Sequence, residues 1–238
     1  MEEPRIIFEN QDFLVIEKPA GTLVHSTKHN EKSLIDWLIK RYPKIVSVGE
    51  DKTRPGIVHR LDREASGLLI IAKNQKSFEY FKKLFQEHKI KKGYLALVYG
   101  ELKEKRGLID KPIGIVSSSI KRSTAARKMK EVKNAITEYE VIKTFEYAKE
   151  KFSFLQVFPK TGRTHQIRVH LASIGHPIVG DKIYGRKKEK IKSRLFLHAF
   201  LLEFVSLEGS ILRLESDLQG DLTKILAEIE KGSNRLTN

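Results

Sequence analysis

Apolar positions along the chain fall into short segments with two different periods, and these predict most of the elements. Arg5–Phe8 and Phe13–Glu17 are apolar-rich stretches separated by the polar Asn10-Gln11-Asp12, which predicts two strands and a turn. Ser33 starts a helix to Tyr42 with Leu34, Ile35, Leu38 and Ile39 on one face and Pro43 ending it. Residues 43–56, with scattered Gly and Pro, read as a loop. Gly67–Ala72 is an unbroken apolar run, the pattern of a strand covered on both faces. Asn74 caps a helix in which Phe78, Phe81, Leu84 and Phe85 recur at helical spacing.

Tyr94–Tyr99 alternates as a strand does, and Ala135–Lys143 and Phe152–Phe158 predict a strand pair joined by a charged turn. Thr164–Ser173 reads as a short helix stopped by Gly175 and Pro177. Phe196–Phe204 and Ile211–Leu214 add strands. Asp221–Lys231 is an amphipathic helix with Leu222, Ile225, Leu226 and Ile229 inward and Gly232 as its stop. Strands and helices do not alternate strictly, so the expected class is α+β, a mixed, largely antiparallel sheet flanked by helices and loops. No internal repeat or Gly/Ser linker interrupts the chain. A single domain over residues 1–232 is expected, with 233–238 as a frayed tail.

Charge adds a partner to this picture. Lys and Arg number 45 against 30 Asp and Glu, a net +15. That excess suits a polyanion, because each neutralised phosphate releases condensed counterions; a generally lysine-rich composition would give the same number. Lys121, Arg122, Arg127, Lys128, Lys130 and Lys133 form one basic stretch, and Arg186, Lys187, Lys188, Lys190, Lys192 and Arg194 a second. Neither has an apolar face, so both are expected to be exposed, either as solvated loops or as an RNA-facing rim. The absence of cysteine excludes disulfides, thiolate metal sites and cysteine nucleophiles. Met1-Glu2-Glu3-Pro4 has no apolar run, so no signal peptide is expected, and no stretch is long and apolar enough for a membrane span. A cytoplasmic protein is expected.

Three stretches carry an unusual residue mix. Val58-His59-Arg60-Leu61-Asp62-Arg63-Glu64-Ala65-Ser66-Gly67 places one carboxylate between two arginines at the mouth of the apolar strand. A neighbouring cation keeps such a carboxylate ionised when partly desolvated, as nucleophilic or general-base work requires; an Asp that only ion-pairs or caps a turn has the same surroundings. Lys92-Gly93-Tyr94-Leu95-Ala96-Leu97-Val98-Tyr99-Gly100 reads by itself as an edge strand with an ordinary core tyrosine. Thr161-Gly162-Arg163-Thr164-His165-Gln166-Ile167-Arg168-Val169-His170-Leu171 is a Gly-Arg-Thr turn running into a helix. It continues through Gly175-His176-Pro177-Ile178-Val179-Gly180-Asp181 to Tyr184-Gly185. Free amides and two arginines there suit an anion, or are simply a helix start with surface arginines. Arg168 lies about one turn beyond His165, which allows both to face one cleft.

Taken in order, these stretches resemble the RluA-type RNA pseudouridine synthases. His59-Arg60-Leu61-Asp62, Lys92-x-Tyr94, the Gly162–His170 segment and the Gly175–Asp181 segment with Tyr184 match that family's motifs. Glu17-Lys18-Pro19-Ala20-Gly21 and Leu197-His198-Ala199 match as well. The resemblance runs from about Phe13 to Leu214. Ala65 departs from it, standing where the family usually has Thr, which is expected to loosen the turn holding Asp62. Many relatives also carry a small N-terminal RNA-binding module, which this chain is expected to lack.

The resemblance implies the pseudouridine synthase catalytic fold, two subdomains lining one cleft, and isomerisation of specific uridines in ribosomal RNA or tRNA. It implies Asp62 as the catalytic carboxylate and Arg168 as the ion-pair partner that orients it. Tyr94 is implied as the ring that stacks on the extruded uracil, and Arg60 as the side chain that fills the gap. Ile167, with Leu61, is expected in an apolar pocket wall that excludes water. Arg163, His165 and the basic stretches, Lys121, Arg122, Arg127, Lys128, Lys187 and Lys188 among them, are expected to hold RNA. No cofactor is expected: there is no Walker loop and no G-x-G-x-x-G. No metal is expected either, since His25 and His29 lack a third ligand, and His165 and His170 diverge at five residues' spacing. The expected protein is a monomer. Two other readings use the same residues: a base-releasing RNA glycosylase, and a non-catalytic RNA-binding or ribosome-assembly factor.

Overall fold

Seven consecutive residues with no polar face require cover on both sides, and Ser66–Ala72 is buried along its whole length. The computed structural model describes residues 2–25, 32–116, 121–124 and 129–234; His29, Arg127 and Lys128 lie outside these. The strands in chain order are β1 (Arg5–Glu9), β2 (Phe13–Lys18), β3 (Ser66–Ala72), β4 (Lys91–Tyr99), β5 (Arg106–Asp110) and β6 (Ile113–Val116). They continue with β7 (Arg122–Ser123), β8 (Met129–Lys133), β9 (Ile136–Tyr147), β10 (Glu150–Pro159), β11 (Leu197–Val205) and β12 (Ile211–Glu215). The helices are α1 (Leu34–Arg41), α2 (Gln75–Gln86), α3 (Gln166–Ser173) and α4 (Gly220–Asn234). The class is α+β with largely antiparallel strands. Spatial proximity divides the chain into two units, Met1–Lys91 with Ala199–Asp217, and Lys92–His198 with Leu218–Asn238.

In the first unit β2 pairs antiparallel with β1 and β3, in a register from Phe13 opposite Ala72 to Lys18 opposite Gly67. β12 pairs with residues 201–205 of β11. One core joins these strands to α2: Phe13, Val15, Leu68, Ile70, Phe81, Leu84, Ile90, Leu202 and Phe204. Phe13, Phe81 and Phe204 meet edge-on at 4.9–5.9 Å between centroids, the geometry aromatic quadrupoles favour. α2 starts where predicted, because the Asn74 side chain accepts the Ser77 amide at 2.9 Å. The Asp36 carboxylate receives the Ser33 amide at 2.6 Å at the start of α1. Residues 43–56, expected as loop, contain a short 3-10 helix at Pro43–Ser47, with the proline in its first turn.

In the second unit β10 lies between β4 and β9, and β5 pairs with the outer edge of β9. β6 pairs with β7 and β8 as a separate small sheet. β9 and β10 extend well past the predicted pair. Their turn is Ala148-Lys149, both residues in the left-handed region, a two-residue hairpin geometry that usually selects Asn and Gly. α4 continues through Gly232, expected as its stop. The Tyr147 ring occupies the space a Cβ there would need, so this glycine permits close packing on β9.

Gly67 has a φ of +111°, and a Cβ on it would lie 2.2 Å from the Ala199 carbonyl oxygen. Gly67→Ala is therefore expected to destabilise the protein by at least about 2–3 kcal/mol, read as a lower urea midpoint at constant m-value.

Candidate active-site elements

In the first unit Asp62 sits in a tight turn leading into β3. The Ala65 amide donates to the Asp62 carbonyl at 3.2 Å, closing the turn through the backbone, so the hydroxyl absent at Ala65 is not needed for closure. Behind the turn lies Lys18, fully buried. Its ammonium donates to the carbonyls of Pro19 (2.8 Å), Thr22 (3.0 Å) and Arg63 (3.1 Å). The Arg63 carbonyl also receives the Gly21 amide at 2.8 Å, and Arg63 Nε donates to the Gly21 carbonyl at 3.1 Å. The Lys18-Pro19-Ala20-Gly21 segment and the Asp62-Arg63 turn are thus laced together around one buried cation. His59 stacks on Phe85 at 4.4 Å and accepts the Ile70 amide at Nε2, which ties the residues before Asp62 to β3. Leu61 is buried, Asp62 half-buried and Arg60 exposed.

In the second unit Arg168, on α3, is 4% exposed and Asp181 is 2% exposed. They form a bidentate pair, Nε to Oδ2 at 2.8 Å and Nη2 to Oδ1 at 2.7 Å. Oδ1 also accepts the Ile183 and Tyr184 amides at 2.9 and 3.0 Å. Burial pushes the Asp181 carboxyl up, but Arg168 and these amides outweigh burial and hold it below the usual carboxylate range. The family resemblance pairs Arg168 with Asp62; within its own unit Arg168 pairs with Asp181.

His165 precedes α3 with a φ of +56°, a left-handed backbone that costs about 1 kcal/mol or more for a residue with a Cβ. Gln166 holds this turn. Its amide nitrogen donates to the Ile136 carbonyl (2.9 Å) and Thr137 hydroxyl (3.0 Å), and its Oε1 receives the Thr161 hydroxyl (2.7 Å) and Arg163 amide (3.0 Å). His165 Nδ1 meets the Tyr184 hydroxyl at 3.0 Å, while Arg168 lies over the Tyr184 ring at 5.3 Å. The expectation that His165 and Arg168 share a surface therefore resolves into a shared contact with Tyr184. Ile167 is buried. His170, also buried, bridges the Thr137 hydroxyl and the Lys111 carbonyl at 2.9 Å each, and burial pushes its pKa down. Arg163 is half-exposed, with Nε on the Asn134 carbonyl at 3.1 Å.

Tyr94 lies on β4 opposite Val157, half-buried. Tyr99, five residues on and so on the opposite face, is the core tyrosine, with its hydroxyl pushed up to about 12 chiefly by burial. Lys92, on the same face as Tyr94, has its ammonium pushed down by burial, and its Nζ is 3.9 Å from where a Cβ on Gly162 would stand. Among the described residues no group of three or more His, Cys, Asp or Glu is placed to hold a metal.

The basic stretches are less uniform than expected. Lys121 and Lys130 are exposed and Arg122 half-exposed, but this segment contributes to the small β6–β7–β8 sheet and is not simply loop. In the second stretch Lys187 and Lys188 are exposed, whereas Ile191 is buried. Arg186 lies over the Tyr99 ring at 4.4 Å and pairs with Glu150. Arg194 forks onto Asp221 at 2.6 and 3.0 Å. With Lys190 donating to the Ala148 carbonyl at 2.8 Å, three of the six cations in that stretch anchor structure, a role a run of like charges does not advertise.

A family model described as RNA pseudouridylate synthase matches residues 12–173. A protein of Aquifex aeolicus named as an RNA pseudouridine synthase is 44% identical over 191 residues, covering 80% of this chain and 58% of that relative. The ribosomal large subunit pseudouridine synthase D of Nitrosomonas europaea is 39% identical over 236 residues, covering 94% of this chain and 65% of its own length. The chain thus spans about three-fifths of the length of these curated relatives. The solved structure of human RNA pseudouridylate synthase domain containing 1 superposes with a TM-score of 0.76 at 29% identity, covering 91% of this chain and 84% of that one.

Two substitutions test the supports. Asp181→Asn takes the paired charge away from a buried guanidinium and is expected to cost about 3 kcal/mol at neutral pH in chemical denaturation. The folded carboxyl titrates below its unfolded value, about 3.9, so the pair's contribution is complete above that value and is lost as pH falls through the folded one. The variant should lack that acid-dependent loss. Lys18→Met leaves three carbonyls without their lysine donor and is expected to cost at least about 2 kcal/mol. Hydrogen exchange should accelerate at residues 63–65 in particular.

Proposed function

The chain belongs to the RNA pseudouridylate synthase family, and from that premise we propose that it isomerises uridine to pseudouridine within structured RNA. The observation that carries this reading is the family match over residues 12–173, which contains Asp62, Tyr94 and Arg168 together. In this reading the two units work as one catalytic domain over residues 1–232. The chemistry breaks the bond between ribose and uracil N1, turns the base and rejoins it through C5. No atoms are gained or lost and no electrons leave the base.

Asp62 is the carboxylate that attacks the sugar or otherwise assists cleavage, and the Lys18 clamp supports it by fixing its turn. Arg168 is the cation that holds Asp62 charged, and its pairing with Asp181 supports that role by fixing the guanidinium before RNA arrives. Tyr94 stacks on the extruded base, Arg60 fills the space it leaves, and Leu61 and Ile167 exclude water from the cleaved intermediate. Arg163, His165, Lys121, Arg122, Lys187 and Lys188 contact the RNA, together with Arg127 and Lys128.

Large-subunit ribosomal RNA is the substrate we favour, because one close relative is named for that activity; transfer RNA is the second substrate to assay. The enzyme acts as a cytoplasmic monomer in this reading. No helix among the described residues is long and apolar enough to cross a membrane.

The test is product analysis on ribosomal and transfer RNA from cells lacking the protein. The wild-type chain should convert particular uridines to pseudouridine without releasing uracil. Asp62→Asn should abolish conversion while RNA affinity stays within a few fold. Free uracil with abasic sites, or normal turnover by Asp62→Asn, would overturn the assignment.

A further inference from the structure

Tyr184 stands where three parts of the second unit meet. Its hydroxyl receives the Arg122 amide on β7 at 2.8 Å and meets His165 Nδ1, before α3, at 3.0 Å. The phenol oxygen accepts the Arg122 amide, and its contact with Nδ1 joins it to His165 as well. The ring underlies the Arg168 guanidinium, and the Tyr184 amide donates to the carboxylate that grips Arg168. The ring also packs against a small core of Ile113 on β6, Ala135, and Val169, the neighbour of Arg168. Burial pushes the phenol up, so the hydroxyl stays protonated.

The β6–β7–β8 sheet thus has two hard connections to α3. One is the hydrogen-bond line Arg122–Tyr184–His165, and the other is the packing of Ile113 on Val169 and Tyr184. The same sheet carries Lys121, Arg122, Lys130 and Lys133, cations suited to a phosphate backbone. A sheet that touches α3 through these contacts and also carries exposed cations has both parts that a lever worked by RNA would need.

We propose that Tyr184 is a positioning residue through which RNA seated on the β6–β7–β8 sheet sets the orientation of Arg168. This rests on the roles given above to Arg168 and to the basic sheet. Tyr184→Phe removes the hydroxyl and leaves the ring under Arg168, so the two connections can be separated.

The first measurement is turnover on the ribosomal RNA of the product assay. Tyr184→Phe should lower kcat about tenfold, the equivalent of one lost hydrogen bond, with KM within about twofold. The second is the Nε–H resonance of Arg168, recorded in Asp62→Asn protein so that nothing is consumed. An RNA stem–loop should move that resonance when Tyr184 is present and leave it nearly still with Tyr184→Phe. Unchanged kcat, or an Arg168 shift of full size in the variant, overturns the proposal. Should Tyr184→Phe fold poorly, Lys130→Ala with Lys133→Ala changes only exposed positions. RNA must then fail to move the Arg168 signal, and a full shift overturns the coupling. Since the resonance is read without turnover, a chain that isomerises no uridine yet loses its shift in Tyr184→Phe supports the coupling and sinks only the assigned reaction.

Discussion

The bidentate pair of Arg168 and Asp181 ties several parts of the second unit to one point. An ion taken out of water costs several kcal/mol unless every polar valence is met, and here the carboxylate is met by four donors, two from the guanidinium and two from the backbone of Ile183 and Tyr184. Those four bonds fix three things at once: the rotation of α3, the turn after Gly180, and the height of the Tyr184 ring. Gly180 belongs to the same constraint, since a Cβ there would lie 2.0 Å from the Arg194 carbonyl oxygen. A cation oriented this firmly can be aimed at a reacting group without reorganisation during the reaction, which is where electrostatic catalysis gains most.

The first unit solves a similar problem by different means. Lys18 places an ammonium among three backbone carbonyls, so its charge is spread over dipoles. Carbonyls belong to the chain trace, and a lysine that gathers three of them fixes backbone where the arginine pair fixes a side chain. The turn with Asp62 is held largely through backbone groups, the Ala65 amide on the Asp62 carbonyl and the Arg63 carbonyl on Lys18 and Gly21. The two units thus use buried cations for two tasks, one holding a loop and the other fixing a side chain.

How much of this was legible in the sequence depended on range. β2, β3 and α2 were readable because Phe13–Glu17, Gly67–Ala72 and the Phe78–Phe85 spacing are local patterns. β5 to β8 were not: Met129–Lys133 is mostly charged and forms a strand because β6 offers it an edge. The β9–β10 hairpin was read too short because Ala148-Lys149 carries no turn signal. Asp62, Tyr94 and Arg168 stood out through the ordered motifs, while their supports did not. Lys18 reaches Arg63 across 45 residues and Gln166 reaches Ile136 across 30, and such bonds leave no periodic trace. Asp181 and Tyr184 were visible as motif letters, but nothing in their spacing showed that one grips Arg168 and the other lies beneath it.

The first unit is built from two pieces of chain, and this has a consequence for its biosynthesis. Leu202 and Phe204, which complete the core around Phe13 and Phe81, lie more than a hundred residues beyond α2. At ordinary elongation rates a ribosome takes roughly ten seconds to cross that gap. Throughout it the nascent β1–β2–β3 and α2 segment must carry an unfilled apolar socket. Only once Phe204 clears the exit tunnel can that segment close, so the last third of translation decides whether the first third survives.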